Sequence, residues 1–276
     1  MNPLRQVAWR AAALLLLLLL GACATFQGYL DPNGPRYAGG VGRAADPEPG
    51  IRVVTFNTQY AKRIPRVILA LREHPALKSA DAVALQEIDQ AGVEAVATAL
   101  GMRYVYYPAS HNPKSGRDVG NAILTPWPMA DEYKLLMPHP SFGKRQRRAA
   151  VSARVQVDGR WIRVYALHLG SPVGNTGGQR REQADVVIAD ALAQADPILV
   201  AGDFNSKALG DYFVSKGFGW PTRAIGHTVR GYSFDHVFTR GLRPRDGESA
   251  GVARDVDEAS DHRPVWAVVV PAEVSR

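Results

Sequence analysis

Short runs of apolar and β-branched residues recur from Ile51 to Val270, interrupted by stretches of helical period, and this alternation constrains the fold more than any other feature of the chain. Strands are expected at Ile51–Phe56, Ala82–Leu85, Arg103–Tyr107, Asn121–Thr125, Ala149–Val157, Trp161–Leu167, Ile198–Ala201, Phe234–Thr239 and Val265–Val270. Helical spacing falls at Ile64–Leu77, Gly92–Leu100 and Gln179–Ala193. Asp158-Gly159, between two apolar runs, is a strong hairpin signal. No repeat and no second linker divides this stretch, so one mixed α/β domain over 51–272 is the simplest reading. The chain has one cysteine, so no internal disulfide holds the fold together and a sizeable core must do so.

Ahead of the domain lies an address. Arg5 and Arg10 precede a continuous apolar run from Ala11, broken only by Gly21. The run is too short for a membrane span, which needs ~20 apolar residues, and it matches a basic region followed by a signal core. Leu20-Gly21-Ala22-Cys23 resembles the bacterial lipoprotein signal. That resemblance implies removal of residues 1–22, acylation of Cys23 and tethering of the exported protein to the cell envelope. Ala24 rather than Asp after the cysteine resembles outer-membrane sorting in a Gram-negative source. Two acyl chains anchor stably where one is marginal. Loss of Arg5 and Arg10 lowers the formal charge from +7 to +5, so the mature protein stays basic and suited to anionic partners. Residues 23–50, rich in Gly, Pro and Asp, read as a flexible tether.

Chemistry gathers where strands end. Asn57 follows Phe56, Glu87 follows Leu85-Gln86, and His168 follows Leu167. Asp203 and Asn205 follow Ala201-Gly202, Asp235 follows Phe234, and Asp261-His262 precedes the last strand. Singly, each is an ordinary turn or core residue. Strand ends on one edge of a sheet converge, so together they describe one pocket.

At these residues the sequence resembles the endonuclease/exonuclease/phosphatase superfamily of deoxyribonuclease-like, metal-dependent phosphoesterases. The segments that carry the resemblance are Val54–Asn57, Leu85–Glu87, Gly120–Leu124, Leu167–Leu169, Gly202-Asp203-Phe204-Asn205, Phe234–Phe238 and Ser260-Asp261-His262-Arg263-Pro264. The resemblance implies a four-layer α/β (α+β) sandwich, two facing and mostly antiparallel sheets flanked by helices. It implies Mg²⁺, with Mn²⁺ an alternative, held by Asn57, Glu87 and Asp261. Asp203 would orient or deprotonate water, Asn205 would donate to a phosphate oxygen, and His168 would assist the leaving oxygen. His262, paired with Asp235, would contact the scissile phosphate. Asn121 and Arg148 would be further phosphate contacts, with Arg145 and Arg147 close alternatives to Arg148. Gln59 is neutral where some nuclease members carry a second carboxylate, which disfavours two tightly held metals.

The expected activity is hydrolysis of a phosphate ester by a monomer, with nucleic acid as first substrate class. A phospholipid headgroup or an inositol phosphate is the alternative. A surface-tethered binding protein without catalysis is the alternative of another kind, disfavoured because every catalytic position has its residue.

Overall fold

The structure, a computed structural model, describes residues 25–42, 50–256 and 258–272. The signal 1–22 and Cys23 lie outside the described residues. Among the described residues no helix is long and apolar enough to cross a membrane.

In chain order the strands are β1 (Gln27–Gly28), β2 (Tyr37–Gly39), β3 (Ile51–Asn57), β4 (Ala82–Ile88), β5 (Arg103–Asn112), β6 (Arg117–Thr125), β7 (Met129–Leu136), β8 (Ala149–Val157), β9 (Arg160–His168), β10 (Ile198–Asp203), β11 (Asp235–Arg240), β12 (Leu242–Pro244), β13 (Ala250–Val252) and β14 (Val265–Pro271). The helices are α1 (Ile64–Glu73), α2 (Gln90–Leu100), α3 (Gly177–Leu192) and α4 (Ala208–Ser215). One sheet runs β1-β5-β6-β4-β3-β14-β12, with β2 also on β5 and β13 also on β14. The other runs β11-β10-β9-β8-β7.

Both faces of each sheet are covered, which explains why the central strands read as unbroken apolar runs rather than as alternation. Along β4, Val83 and Leu85 point outward to Val67 and Leu71 of α1 and Val93 and Val96 of α2. Ala82 and Ala84 point inward to the other sheet, where they meet a layer that includes Val151, Val164 and Leu199. On the far side, Tyr165, Val200 and Phe238 pack against Val187 and Ile188 of α3 and Phe213 of α4. The four layers are thus helix, sheet, sheet, helix. Local chemistry agrees with the boundaries: Asp89 caps α2 by accepting from Gly92 N, and Thr176 and Gln179 form a capping box on α3. The first helix stops at Glu73 rather than Leu77, because Pro75 disfavours helical backbone in the residue before it.

Among the described strands only β3–β4 and β9–β10 run parallel. Each parallel pair brings two strand ends to the same edge: Asn57 stands beside Gln86, and Asp203 beside His168. The antiparallel β11 starts there too, with Asp235 opposite Asp203.

The stretch read as a tether is not loose over 25–42. β1 and β2 pair with β5, Tyr37 stacks on Tyr106 at 5.9 Å, and the Tyr29 hydroxyl donates to Asp118 at 2.8 Å. An open sheet edge offers unpaired backbone groups to any neighbouring extended chain. Strands of two and three residues carry too little periodicity to show in a Gly- and Pro-rich sequence. Tyr37→Ala is therefore expected to lower thermal stability, by about 1–2 kcal/mol for the lost aromatic pair and buried area. An unchanged melting temperature would return this segment to a passive linker.

Candidate active site

A cleft of about 310 Å³ opens at the edge where these strands end. A larger cavity of about 560 Å³ lies at the opposite end of the sandwich, between Trp127 and Trp161. It is lined by Asp81, which already accepts from Trp127 Nε1 and the Arg52 amide, and by Asp158 of the hairpin turn, and none of the strand-end groups reaches it.

Asp203 is the centre of the cleft. Its Oδ2 accepts from Asn57 Nδ2 at 3.1 Å, a bond that crosses from one sheet to the other. The same oxygen lies 3.3 Å from His168 Nε2 and 3.8 Å from His262 Nε2, while Oδ1 accepts from Asn205 N at 2.9 Å. Burial pushes the Asp203 carboxyl up to about 7; His262 and the hydrogen bonds oppose the rise, and the neighbouring charge of Asp235 adds to it.

His262 is in the opposite state. Burial disfavours its charge, but Asp235 and Asp203 outweigh burial and raise the imidazole to about 10. His262 Nδ1–H donates to Asp235 Oδ2 at 2.9 Å. Asp235 is fully buried, and its Oδ1 has no hydrogen-bond partner among the described residues, so His262 is the cation bonded directly to it. Ser260 locks the terminal triplet in place: its hydroxyl donates to Asn57 O at 2.6 Å and accepts from His262 N at 3.2 Å.

His168 is held neutral, well below its ordinary value, by burial and by the charges of Arg148 and His262. Arg148 Nη1 is 3.1 Å from Nδ1, and Asn205 Nδ2 is 3.2 Å from Nε2, the nitrogen that also faces Asp203 Oδ2. Both ring nitrogens are thus engaged within the site, by Arg148 on one side and by Asn205 and Asp203 on the other.

Glu87 reaches the cleft through a bulge. The register of β4 against β6 shifts between Gln86 and Ile88, and Glu87 sits at φ 52°, which turns its carboxylate inward. Burial raises its pKa; Arg148, His262 and Lys62 oppose, and the like charge of Asp261 adds to the rise. Two carboxylates on one wall, incompletely answered by protein cations, form an oxygen-rich set with Asn57 that fits a hard divalent cation. A second acidic group, Asp203, Asp235 and His262, also brings ligand atoms within 4.8 Å of one another. Within that group His262 Nδ1 is committed to Asp235, and the two carboxylates raise the imidazole to about 10.

Of the three arginines in the basic turn, Arg148 lines the cleft. Arg145 is exposed, and Arg147 lays its side chain over Gly28. Asn121 does not line the cleft: its Nδ2 donates to Ala149 O at 2.7 Å, bracing β6 against β8 beside Arg148. Sequence reasoning missed Tyr60, Lys62 and Gln146, which complete the wall. Gln59, Tyr60 and Ala61 form a left-handed run with φ of 50°, 57° and 52°, a conformation no residue pattern there announces.

The sequence matches the family described as "Endonuclease/Exonuclease/phosphatase family" over residues 54–262. No curated protein matches it. Among solved structures, an endonuclease/exonuclease/phosphatase from Beutenbergia cavernae DSM 12333 is similar at 19% identity and TM-score 0.66, covering 81% of this chain and 72% of that one. D. rerio TDP2 complexed with single strand DNA product is similar at 15% identity and TM-score 0.62, covering 81% and 100%. The human Nocturnin catalytic domain with bound sulfate anion is similar at 17% identity and TM-score 0.59, covering 86% and 98%.

Proposed function

Because this chain belongs to the endonuclease/exonuclease/phosphatase family, we propose that it hydrolyses phosphodiesters with Mg²⁺, or Mn²⁺, as cofactor, and that nucleic acid is its first substrate class. The observation that carries this reading is the pairing of opposite protonation states around one point: an acid raised to about 7 at Asp203 and an imidazolium at His262. Both values move up together, so between about pH 7 and about pH 10 Asp203 is a carboxylate able to accept a proton while His262 still carries one.

The residues supply what attack on an anionic phosphate needs. Asp203, deprotonated above about pH 7, takes a proton from water. His262 and Arg148 place positive charge against the phosphate oxygens, and Asp235 keeps His262 protonated. His168 and Asn57 hold the Asp203 carboxylate in position. A divalent cation held by Glu87, Asp261 and Asn57 would neutralise charge as it builds on the phosphate. TDP2 bound to a DNA product, among the similar folds, supports a nucleic-acid substrate. A second reading, a lipid-headgroup phosphodiester, draws on the exposed Phe142 and Val173 at the rim of the cleft.

Activity on bis-p-nitrophenyl phosphate is expected to follow a bell in pH. It rises through about 7 as Asp203 loses its proton and falls through about 10 as His262 loses its own. A profile flat across that window would remove both residues from proton transfer. A panel of plasmid DNA, RNA, sphingomyelin, phosphatidylinositol and inositol phosphates at fixed salt then separates the substrate classes. No turnover of any of them with Mg²⁺ or Mn²⁺ would sink the enzymatic reading.

A further inference from the structure

Two loops, 138–147 and 170–176, frame the open side of the cleft. At their tips Phe142 is 90% and Val173 96% exposed. The tips are not slack. Phe142 N donates to Gly174 O at 2.8 Å, and Asn175 Nδ2 donates to His139 O at 3.0 Å. Neither loop contains an acidic residue, and Lys144 and Arg145 stand exposed beside Phe142. Large apolar tips flanked by cations and free of acids suit the interface of an anionic bilayer, where the apolar groups enter the acyl boundary and the cations meet headgroups. A platform for single-stranded nucleic acid would present aromatic faces for stacking, and Val173 has none.

The entry of the chain points to the same place. Phe26 N donates to Lys144 O at 2.9 Å, Gln27 pairs with His111, and Gly28 fits beneath the Arg147 side chain. The N-terminal end of the described fold is therefore bonded to the very loop that carries Phe142. Cys23 is two residues ahead of Thr25 in sequence. Two residues extend at most ~7 Å, so a lipid on Cys23 sets the bilayer against the mouth of the cleft.

We infer that the rim formed by Phe142, Val173, Lys144 and Arg145 is a docking surface for an anionic lipid bilayer, so that the cleft opens onto the membrane that holds the N-terminus. This orientation rests on neither substrate reading, since it concerns what the mouth faces and not which bond is cut. It does rest on acylation of Cys23 for its permanence.

The test uses the full chain, processed in a bacterial envelope and reconstituted in vesicles of phosphatidylglycerol and phosphatidylcholine. Acylation removes the native thiol, leaving one engineered cysteine for an environment-sensitive fluorophore. Val173→Cys reports from the rim. Arg160→Cys reports from the exposed hairpin at the far end of β9. Lipid-borne nitroxide is expected to quench the label at 173 by at least half and to leave the label at 160 unquenched. Phe142→Ser in the 173-labelled chain is expected to halve that quenching, with an unchanged melting temperature. Equal quenching at the two sites, none at 173, or a chain that does not associate with the vesicles overturns the proposal. So does a response at 173 that is larger for a single-stranded oligonucleotide than for vesicles. The readout is fluorescence, so a chain without hydrolytic activity still decides it.

Discussion

His262→Ala is expected to lower kcat on a phosphodiester by about 10³-fold, the cost of removing a preorganised charged donor from a water-poor site. The ring carries a full charge because Asp235 and Asp203 overcome the effect of its burial, and its Nε2 lies 3.8 Å from Asp203. Removing it also strands the buried Asp235 carboxylate, so thermal stability should fall as well. For that reason Asp235→Asn is the more telling variant. It keeps the imidazole but withdraws the charge that raises it, so the alkaline limb of the pH profile should move down from about 10 towards the ordinary histidine range. The double variant should be little worse than His262→Ala alone, because the two act as one unit. Steady-state kinetics across pH, with circular dichroism as a control for folding, reads all of this. If His262→Ala retains activity within fivefold of the parent, the pair is not catalytic.

Glu87→Gln is expected to raise the Mg²⁺ concentration for half-maximal rate by about 100-fold, the upper range for disturbing a metal site. It carries a second expectation that needs no turnover. Burial raises the Glu87 pKa above its ordinary value of 4.5. Protonated Glu87 is thus favoured by folding, and that advantage is present below pH 4.5 and lost as pH rises through the folded value. Above that window ionised Glu87 works against the fold, and glutamine relieves the strain. In metal-free buffer at pH 8 the variant should melt several degrees higher than the parent, with the difference vanishing towards pH 4. Added Mg²⁺ should reverse the order, since a cation bound only by the folded parent stabilises it. Equal melting curves in all three conditions would take Glu87 out of the proposed metal site.

Much of this was legible in the residues, and for identifiable reasons. The central strands are buried on both faces, so their apolar runs are unbroken and their ends stand out as Asn57, Glu87, His168, Asp203 and Asp235. The four-layer fold came from the resemblance those residues carry rather than from periodicity, which cannot say which strands pair. What stayed hidden depends on packing and backbone angle. Choosing Arg148 over Arg145 and Arg147 needed Gly28, more than a hundred residues away, to occupy the Arg147 side chain. The Asn121 amide is satisfied by a carbonyl on another strand, and no local pattern signals that. Tyr60 enters the wall through a left-handed turn of non-glycine residues, and such strain is invisible to composition. The edge strands β1 and β2 were lost because two or three residues make no period.

The hydrogen bond from Asn57 to Asp203 joins one sheet to the other across the core. Glu87 and His262 come from segments of the first sheet or packed on it, while His168, Asp203 and Asp235 belong to the second. Neither half owns a working site. An intact site is therefore a mark of closure: a chain with one sheet formed holds only part of the set. Recovery of the proposed activity on refolding should therefore track the docking of the two sheets and not the formation of either one alone.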